Sequence, residues 1–293
     1  MPSNQKSAIF AILAAAILFT AMGVFVRLLS PTLPIMEITF FRNFISAVII
    51  CASLFYNPPQ AQIGGKPFVL FLRGFCGGSA MLAYFYNIST LSLGTAYAFS
   101  YTSPIFLAFF SVIFLHKKVS LRVWVAIFLG FSGILLISNP SGEGLSLIGF
   151  LIGIYSGIGA ALAYFSITKL ANLYDPRIII LSLALNGSAL CVLTQFVPHS
   201  LFAIPLFEAF VLPSFKEIFL LLGLGLVSNY AQIFLTKAYT IGDPPTIGAI
   251  SYSTILFATL AGILLGDAIP SYCVFLGIFL IIGGGVLAAF AKR

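Results

Sequence analysis

Apolar runs long enough to cross a bilayer fill this sequence, and they leave few ways to fold it. A spanning helix needs about 20 mainly apolar residues. Ten such runs occur, at about residues 8–28, 35–56, 67–89, 95–115, 121–138, 146–168, 177–197, 215–238, 246–265 and 271–290. A soluble interior is excluded by charge. The 293 residues are 60% hydrophobic and only 7% charged, whereas soluble domains carry about 25% charged residues. Transmembrane strands would alternate apolar and polar residues over segments of roughly 10; these runs are apolar on all sides. The expected fold class is all-α integral membrane, with ten transmembrane helices. The first run exceeds the roughly 7–15-residue apolar core of a signal peptide and is expected to be a retained span. Cys51, Cys76, Cys191 and Cys273 fall within spans without metal-binding or redox spacing and read as small hydrophobes.

Lysine and arginine divide unevenly between the connections. With the N-terminus inside, one side collects Lys6, Lys66, Lys117, Lys118, Arg122, Lys169, Arg177, Lys237, Lys292 and Arg293. The other side holds Arg27 and Lys216, with Glu143, Glu208, Glu217 and Asp267. Positive residues concentrate on the cytoplasmic side, so both termini are expected in the cytoplasm. A bacterial inner membrane is expected, because the termini are short and hold no organelle signal. The net charge of +7 is scattered between spans, so it sets topology and does not form a nucleic-acid-binding face.

The chain also resembles itself. SYTSPIF (Ser100–Phe106) recurs as SYSTILF (Ser251–Phe257), and AIFLGFSG (Ala126–Gly133) as GIFLIIGG (Gly277–Gly284), both 151 residues on. RLLSPTLP (Arg27–Pro34) meets KLANLYDP (Lys169–Pro176) at an offset of 142. Two five-span halves follow, 6–140 and 145–293. Five is odd, so halves of the same internal fold must insert with opposite topology. Inverted repeats of this kind recur in secondary transporters, with the solute site where the halves meet.

Leu72–Ile137, with YFYNISTL, the Gly94 turn, SYTSPIF and the LHKKVS connector, resembles the EamA repeat of the drug/metabolite transporter superfamily. FFRNF (Phe40–Phe44) is similar to the family's Arg-bearing second span. The LRG start of span three resembles the subgroup of S-adenosylmethionine uptake carriers and their eukaryotic solute-carrier relatives. The second half departs from the pattern: SYSTILF lacks the proline, and Asp267 alone stands for the usual Gly-Glu connector. The resemblance implies ten helices, inward termini and alternating access, and fixes no substrate.

Ionisable groups inside the spans are the costly residues, at about 2.5–3.5 kcal/mol each at mid-bilayer. Glu37 and Arg42 are five apart, hence about 140° apart around a helix, and are not expected to pair. Arg42 reads either as a structural cation on neighbouring helix carbonyls or as part of a solute site; its counterpart 142 residues on, Ala184, is uncharged. Glu37 reads as an interfacial residue or as a proton-coupling acid. Arg73, Gly77, Ala80, Tyr84 and Asn87 share one helical stripe that either lines a cavity or lets Arg73 snorkel to phosphates. Tyr101 and Tyr252 occupy matched positions in spans four and nine. Asn186, Asn229 and Gln232 are interhelical glue or solute ligands. Gly149, Gly153 and Gly157, like Gly74 and Gly78, permit close helix approach; Pro104 and Pro244-Pro245 mark bends.

Together these features predict a secondary transporter for a small polar metabolite: amino-acid-like, a nucleoside derivative such as S-adenosylmethionine, or an organic anion. The expected substrate-binding set is Arg42, Arg73, Tyr84, Tyr101, Asn186, Asn229, Gln232 and Tyr252, with Glu37 for proton coupling. Two intramembrane arginines point to a carboxylate or phosphate on the solute. The alternative is a channel or structural membrane protein. An enzyme is not expected: His116 and His199 fall in loops on opposite sides, and no nucleophile-elbow, zinc-protease or P-loop pattern occurs. No cofactor and no metal are expected. The expected partners are a small-molecule substrate and the lipid bilayer; a homodimer is compatible with the sequence.

Overall fold

The computed structural model describes residues 3–59, 62–115, 121–137, 146–196, 210–242 and 244–290. His116, Lys117, Lys118, Glu143, His199, Glu208, Lys292, Arg293 and the 140–145 boundary between the expected halves lie outside them. Every regular element among the described residues is helical. The elements are α1 (Ser3–Leu29), α2 (Ile35–Tyr56), α3 (Pro67–Thr90), α4 (Leu93–Ser100), α5 (Ser103–Leu115), α6 (Leu121–Ile137), α7 (Leu147–Leu170), α8 (Pro176–Thr194), α9 (Phe215–Ile241), α10 (Pro244–Ser251), α11 (Ser253–Leu264) and α12 (Tyr272–Phe290). Six of them, α1, α2, α3, α7, α8 and α9, are long and apolar enough to cross a bilayer. Helices are the expected choice there, because lipid offers the backbone no hydrogen-bond partners.

Local chemistry sets the helix starts. Pro67 and Pro176 stand in the first turns of α3 and α8, where the missing N–H costs nothing. Ser146 accepts the Gly149 N–H at 3.0 Å at the start of α7. Ser214 and Glu217 form a capping box on α9. Asp175 caps α8, accepting the Arg177 N–H at 2.8 Å. Asp175→Ala is expected to cost about 0.5–2 kcal/mol, read as a lower unfolding temperature. Arg177 also holds the Asp175 carboxyl below its ordinary value of 3.8. This contribution is therefore complete above that value and is lost as pH falls through the lower folded one; the alanine variant lacks that acid-side loss.

The apolar runs 95–115 and 246–265, expected as spans four and nine, are not continuous. Each divides in two, at Tyr101–Thr102 between α4 and α5 and at Tyr252 between α10 and α11. At the first break Thr102 Oγ1 donates to the Phe99 carbonyl at 2.7 Å, and Pro104 follows without an N–H to offer. The second break has no proline. There Ser251 Oγ donates back to the Gly248 carbonyl at 2.7 Å, the kind of hydroxyl back-bonding that competes with the helix ladder. Pro244, expected at a bend, instead begins α10.

α1 packs along α9, and α3 along α7; α3 also lies on α8, and α2 on α9. α7 holds α4 and α5, while α1 holds α10 and α11; α4 meets α11 and α5 meets α10. α6 pairs with α12 and α2 with α8. Small residues permit the closest approaches: a Cβ on Gly78 of α3 would stand 2.8 Å from the Gly187 Cα of α8.

Polar contacts gather at the two ends of α3. Beyond its last turn, Arg27 Nη2 donates to the Leu91 carbonyl and pairs with Asp267 at 3.5 Å; Asp267 also accepts the Leu93 N–H at 2.7 Å. Before its first turn, Arg177 donates to the Ser53 and Asn57 carbonyls at 2.9 and 2.8 Å. There the Gly64 N–H meets the Leu173 carbonyl at 2.9 Å. Gly64 and Gly65, at φ 63° and 86°, make that turn, where a Cβ would be strained. The grouping matches the charge count, which puts Arg27 with Asp267 on one side and Lys66 with Arg177 on the other.

Candidate functional site

The α3 stripe faces inward. Arg73, Gly77, Ala80 and Tyr84 line a central cavity with Phe19 and Met22 of α1, Ser100 and Tyr101 at the first break, Ala160, Ala163 and Tyr164 of α7, Leu183 of α8 and Gln232 of α9. Its space open to water centres is about 50 Å³, enough for a few waters at ≳10–15 Å³ each.

Arg73 is the cation of the cavity wall. It is 1% exposed, so snorkelling to a phosphate surface is not what it does here. Its guanidinium lies over Gly77, where an added Cβ would strike Nη1. Nη2 donates to Gln232 Oε1 at 3.3 Å, and Nε has no partner. Arg42 of α2 sits behind the wall, fully buried. Its Nη1 donates to Asn43 Oδ1 at 2.7 Å, while Nε and Nη2 have no partner. Asn43 packs against Gly187 and Gly187 against Gly78, next to the Gly77 that the Arg73 guanidinium covers; Tyr164 shares the cavity lining with Arg73. Ion pairs among the described residues are Arg27–Asp267 and Arg177–Asp175, so neither buried arginine has a carboxylate. Buried charges are ordinarily paired, because desolvation costs several kcal/mol per ion.

Tyrosines close the rest of the cavity. Tyr97 meets Tyr84 edge-on at 5.1 Å and stacks on Tyr101 at 5.9 Å, with its hydroxyl donating to the Phe19 carbonyl. Tyr164 stacks on Tyr239 at 5.1 Å. The Asn87 amide, one turn beyond Tyr84, is buried with no partner on either atom.

The structure therefore brings Arg73, Tyr84, Tyr101 and Gln232 together and sets Arg42 against them. The other expected residues lie elsewhere. Asn186 donates to the Ser182 carbonyl of its own helix at 2.9 Å, against Gly74. Asn229 accepts from Ser46 at 2.8 Å and faces a separate groove between α2, α8 and α9. Tyr252 is buried at the second break with its hydroxyl unpartnered, outside the cavity lining. Glu37 is 1% exposed, more enclosed than its place near a span edge suggests; its carboxylate accepts the Val211 N–H at 2.9 Å. It makes no pair with Arg42. Sequence reasoning missed Tyr164. The signal available was its spacing from Ala160, four residues that put both on one face of α7.

A model of the EamA-like transporter family matches residues 6–139. A Helicobacter pylori protein named as an uncharacterized transporter is 33% identical over 282 residues, covering 95% of this chain and 93% of that one. The pseudopaline exporter CntI of Pseudomonas aeruginosa is 30% identical over 289 residues, covering 98% and 94%. A solved crystal structure superposes with a TM-score of 0.70 at 20% identity, covering 97% of this chain and 96% of that one; at that identity the likeness concerns the fold.

Proposed function

The chain belongs to the EamA-like transporter family, and we propose that it is a secondary transporter carrying a small polar metabolite by alternating access. The observation that carries this reading is the central cavity, nearly filled in this conformation and walled by a buried arginine that has no counter-ion among the described residues. The cavity must enlarge to bind, and an anionic group on the solute supplies the missing charge.

Packing supports two inverted five-span halves. Exchange α1 with α7, α2 with α8, α3 with α9, α4 and α5 with α10 and α11, and α6 with α12. Each helix contact described above then becomes another of the same set. The matched helices α1 and α7 finish at opposite ends of α3, beside Leu91 and beside Gly64. The two broken spans are also matched, and discontinuous helices in corresponding positions are a transporter's usual pointer to its site. The charge distribution favours placing the Lys66 and Arg177 end, with both termini, in the cytoplasm, and the bacterial relatives favour an inner membrane. Glu37, the buried carboxylate among the described residues, is the acid available for proton coupling.

Proteoliposomes test the reading directly. Flux of amino acids, adenosine derivatives and organic anions is to be followed with and without unlabelled solute inside. A carrier is expected to saturate and to show counterflow. Flux that rises linearly with concentration, without counterflow, identifies a channel instead.

A further inference from the structure

Two buried cations share one neighbourhood. Asn43, which Arg42 holds, packs on Gly187, Gly187 packs on Gly78, and the Arg73 guanidinium lies over the adjoining Gly77. No carboxylate among the described residues answers them. The buried charged side chains among the described residues are Glu37, Arg42 and Arg73. Glu37 is engaged by the Val211 N–H and points about 140° away from Arg42 around α2. What the arginines bond to is neutral, the Asn43 and Gln232 amides, and the Tyr164 phenol shares the cavity lining with Arg73. Arg42 Nε and Nη2 and Arg73 Nε are donors without acceptors. A solute with one negative charge leaves one positive charge of this neighbourhood uncompensated. Two negative charges leave none. A further cation adds repulsion where water is scarce and screening is weak.

We infer that this site, on the transporter reading above, selects a solute with two negative charges, a dicarboxylate or a phosphate monoester, and rejects net-cationic solutes such as S-adenosylmethionine. Arg73 makes the contact at the cavity wall. Arg42, behind it, acts by its charge. Tyr84, Tyr101 and Tyr164 of the cavity lining offer ring surface and hydroxyls to the uncharged part of the solute.

The test is a charge series on the purified full chain at constant ionic strength and neutral pH: succinate and glycerol 3-phosphate, lactate, alanine, and S-adenosylmethionine. Thermal protection gives affinity, and competition for flux in proteoliposomes gives a second readout. The dianions are expected to bind about tenfold or more tighter than lactate, a difference of about 1.4 kcal/mol, with alanine and S-adenosylmethionine weaker still. Arg42→Gln is expected to weaken the dianions about tenfold and lactate less than about threefold. Equal loss for both overturns the inference, as does alanine or S-adenosylmethionine binding as tightly as any dianion. If the variant does not fold, the wild-type series decides alone. If alanine or S-adenosylmethionine is transported and the dianions are not, the charge inference fails while the transporter reading stands. If no solute gives saturable flux, both fall.

Discussion

Arg73→Gln is expected to abolish solute transport while making the ligand-free protein more resistant to heat. The two halves of this outcome have one cause. Truncating one partner of a buried, hydrogen-bonded charge pair costs about 2–5 kcal/mol of binding, roughly thirtyfold to several thousandfold in affinity. In the free protein the same guanidinium has only the Gln232 amide at 3.3 Å and an unpartnered Nε. Removing a buried charge that has no counter-ion among the described residues relieves a desolvation cost of several kcal/mol, so the ligand-free variant is expected to be the more stable. Function that depends on a strained site characteristically trades against stability in this way. Unfolding temperature and saturable flux should be measured on the same preparation. A structural arginine would give the opposite sign: a lower unfolding temperature, with transport lost in proportion to the folded fraction. Arg73→Lys separates charge from shape, since an ammonium keeps the charge without the planar fork. It is expected to retain part of the transport that Gln loses.

Helix positions were legible in the sequence because their signals are local. Pro67, Pro176, Ser146 and Ser214 sit at the helix starts where their chemistry places them, and the apolar runs end within about three residues of the helix ends. Pro104 signalled a bend near the break at Tyr101, but nothing signalled the break at Tyr252. The apolar pattern passes through both without a change of period, and only the first has a proline after it. What divides span nine is side-chain hydroxyls turning back onto the backbone, as Ser251 does on Gly248, and serines and threonines do this in many unbroken helices as well. The site divides in the same way. The Arg73, Gly77, Ala80 and Tyr84 stripe follows from the period of one helix. Tyr164 joins it only because α7 lies along α3, a long-range contact that no local spacing states. Asn186 and Asn229 show the limit of residue type. An amide in a membrane span bonds its own backbone or a neighbouring hydroxyl as readily as a solute, and here they bond Ser182 and Ser46.

Gly157→Leu is expected to impair transport more than it lowers the amount of folded protein. α7 meets the break in span four through Gly153 and Gly157. A Cβ on Gly157 would stand 2.9 Å from the Phe99 carbonyl oxygen. That oxygen has little room to yield, since it accepts both Thr102 Oγ1 at 2.7 Å and the Thr102 N–H at 3.2 Å. One turn earlier, a Cβ on Gly153 would meet the Phe99 ring at 2.7 Å. A larger side chain at 157 must therefore displace the backbone of the break itself, and with it Tyr101 on the cavity wall. Overpacking of this kind costs about 1–3 kcal/mol. Gly157→Ala is expected at the lower end of that range and Gly157→Leu at the upper end or beyond. Gly283 of α12 supplies the control, because a Cβ there meets nothing within 4 Å; Gly283→Ala should leave unfolding within about 1 kcal/mol of wild type. Transport per folded molecule is the deciding measurement. If Gly157→Leu lowers only the yield and the surviving protein turns over normally, the break is a packing detail. If turnover falls in the folded fraction while Gly283→Ala is unaffected, the contact between α7 and the interrupted span is one that the carrier must make and remake as the cavity opens.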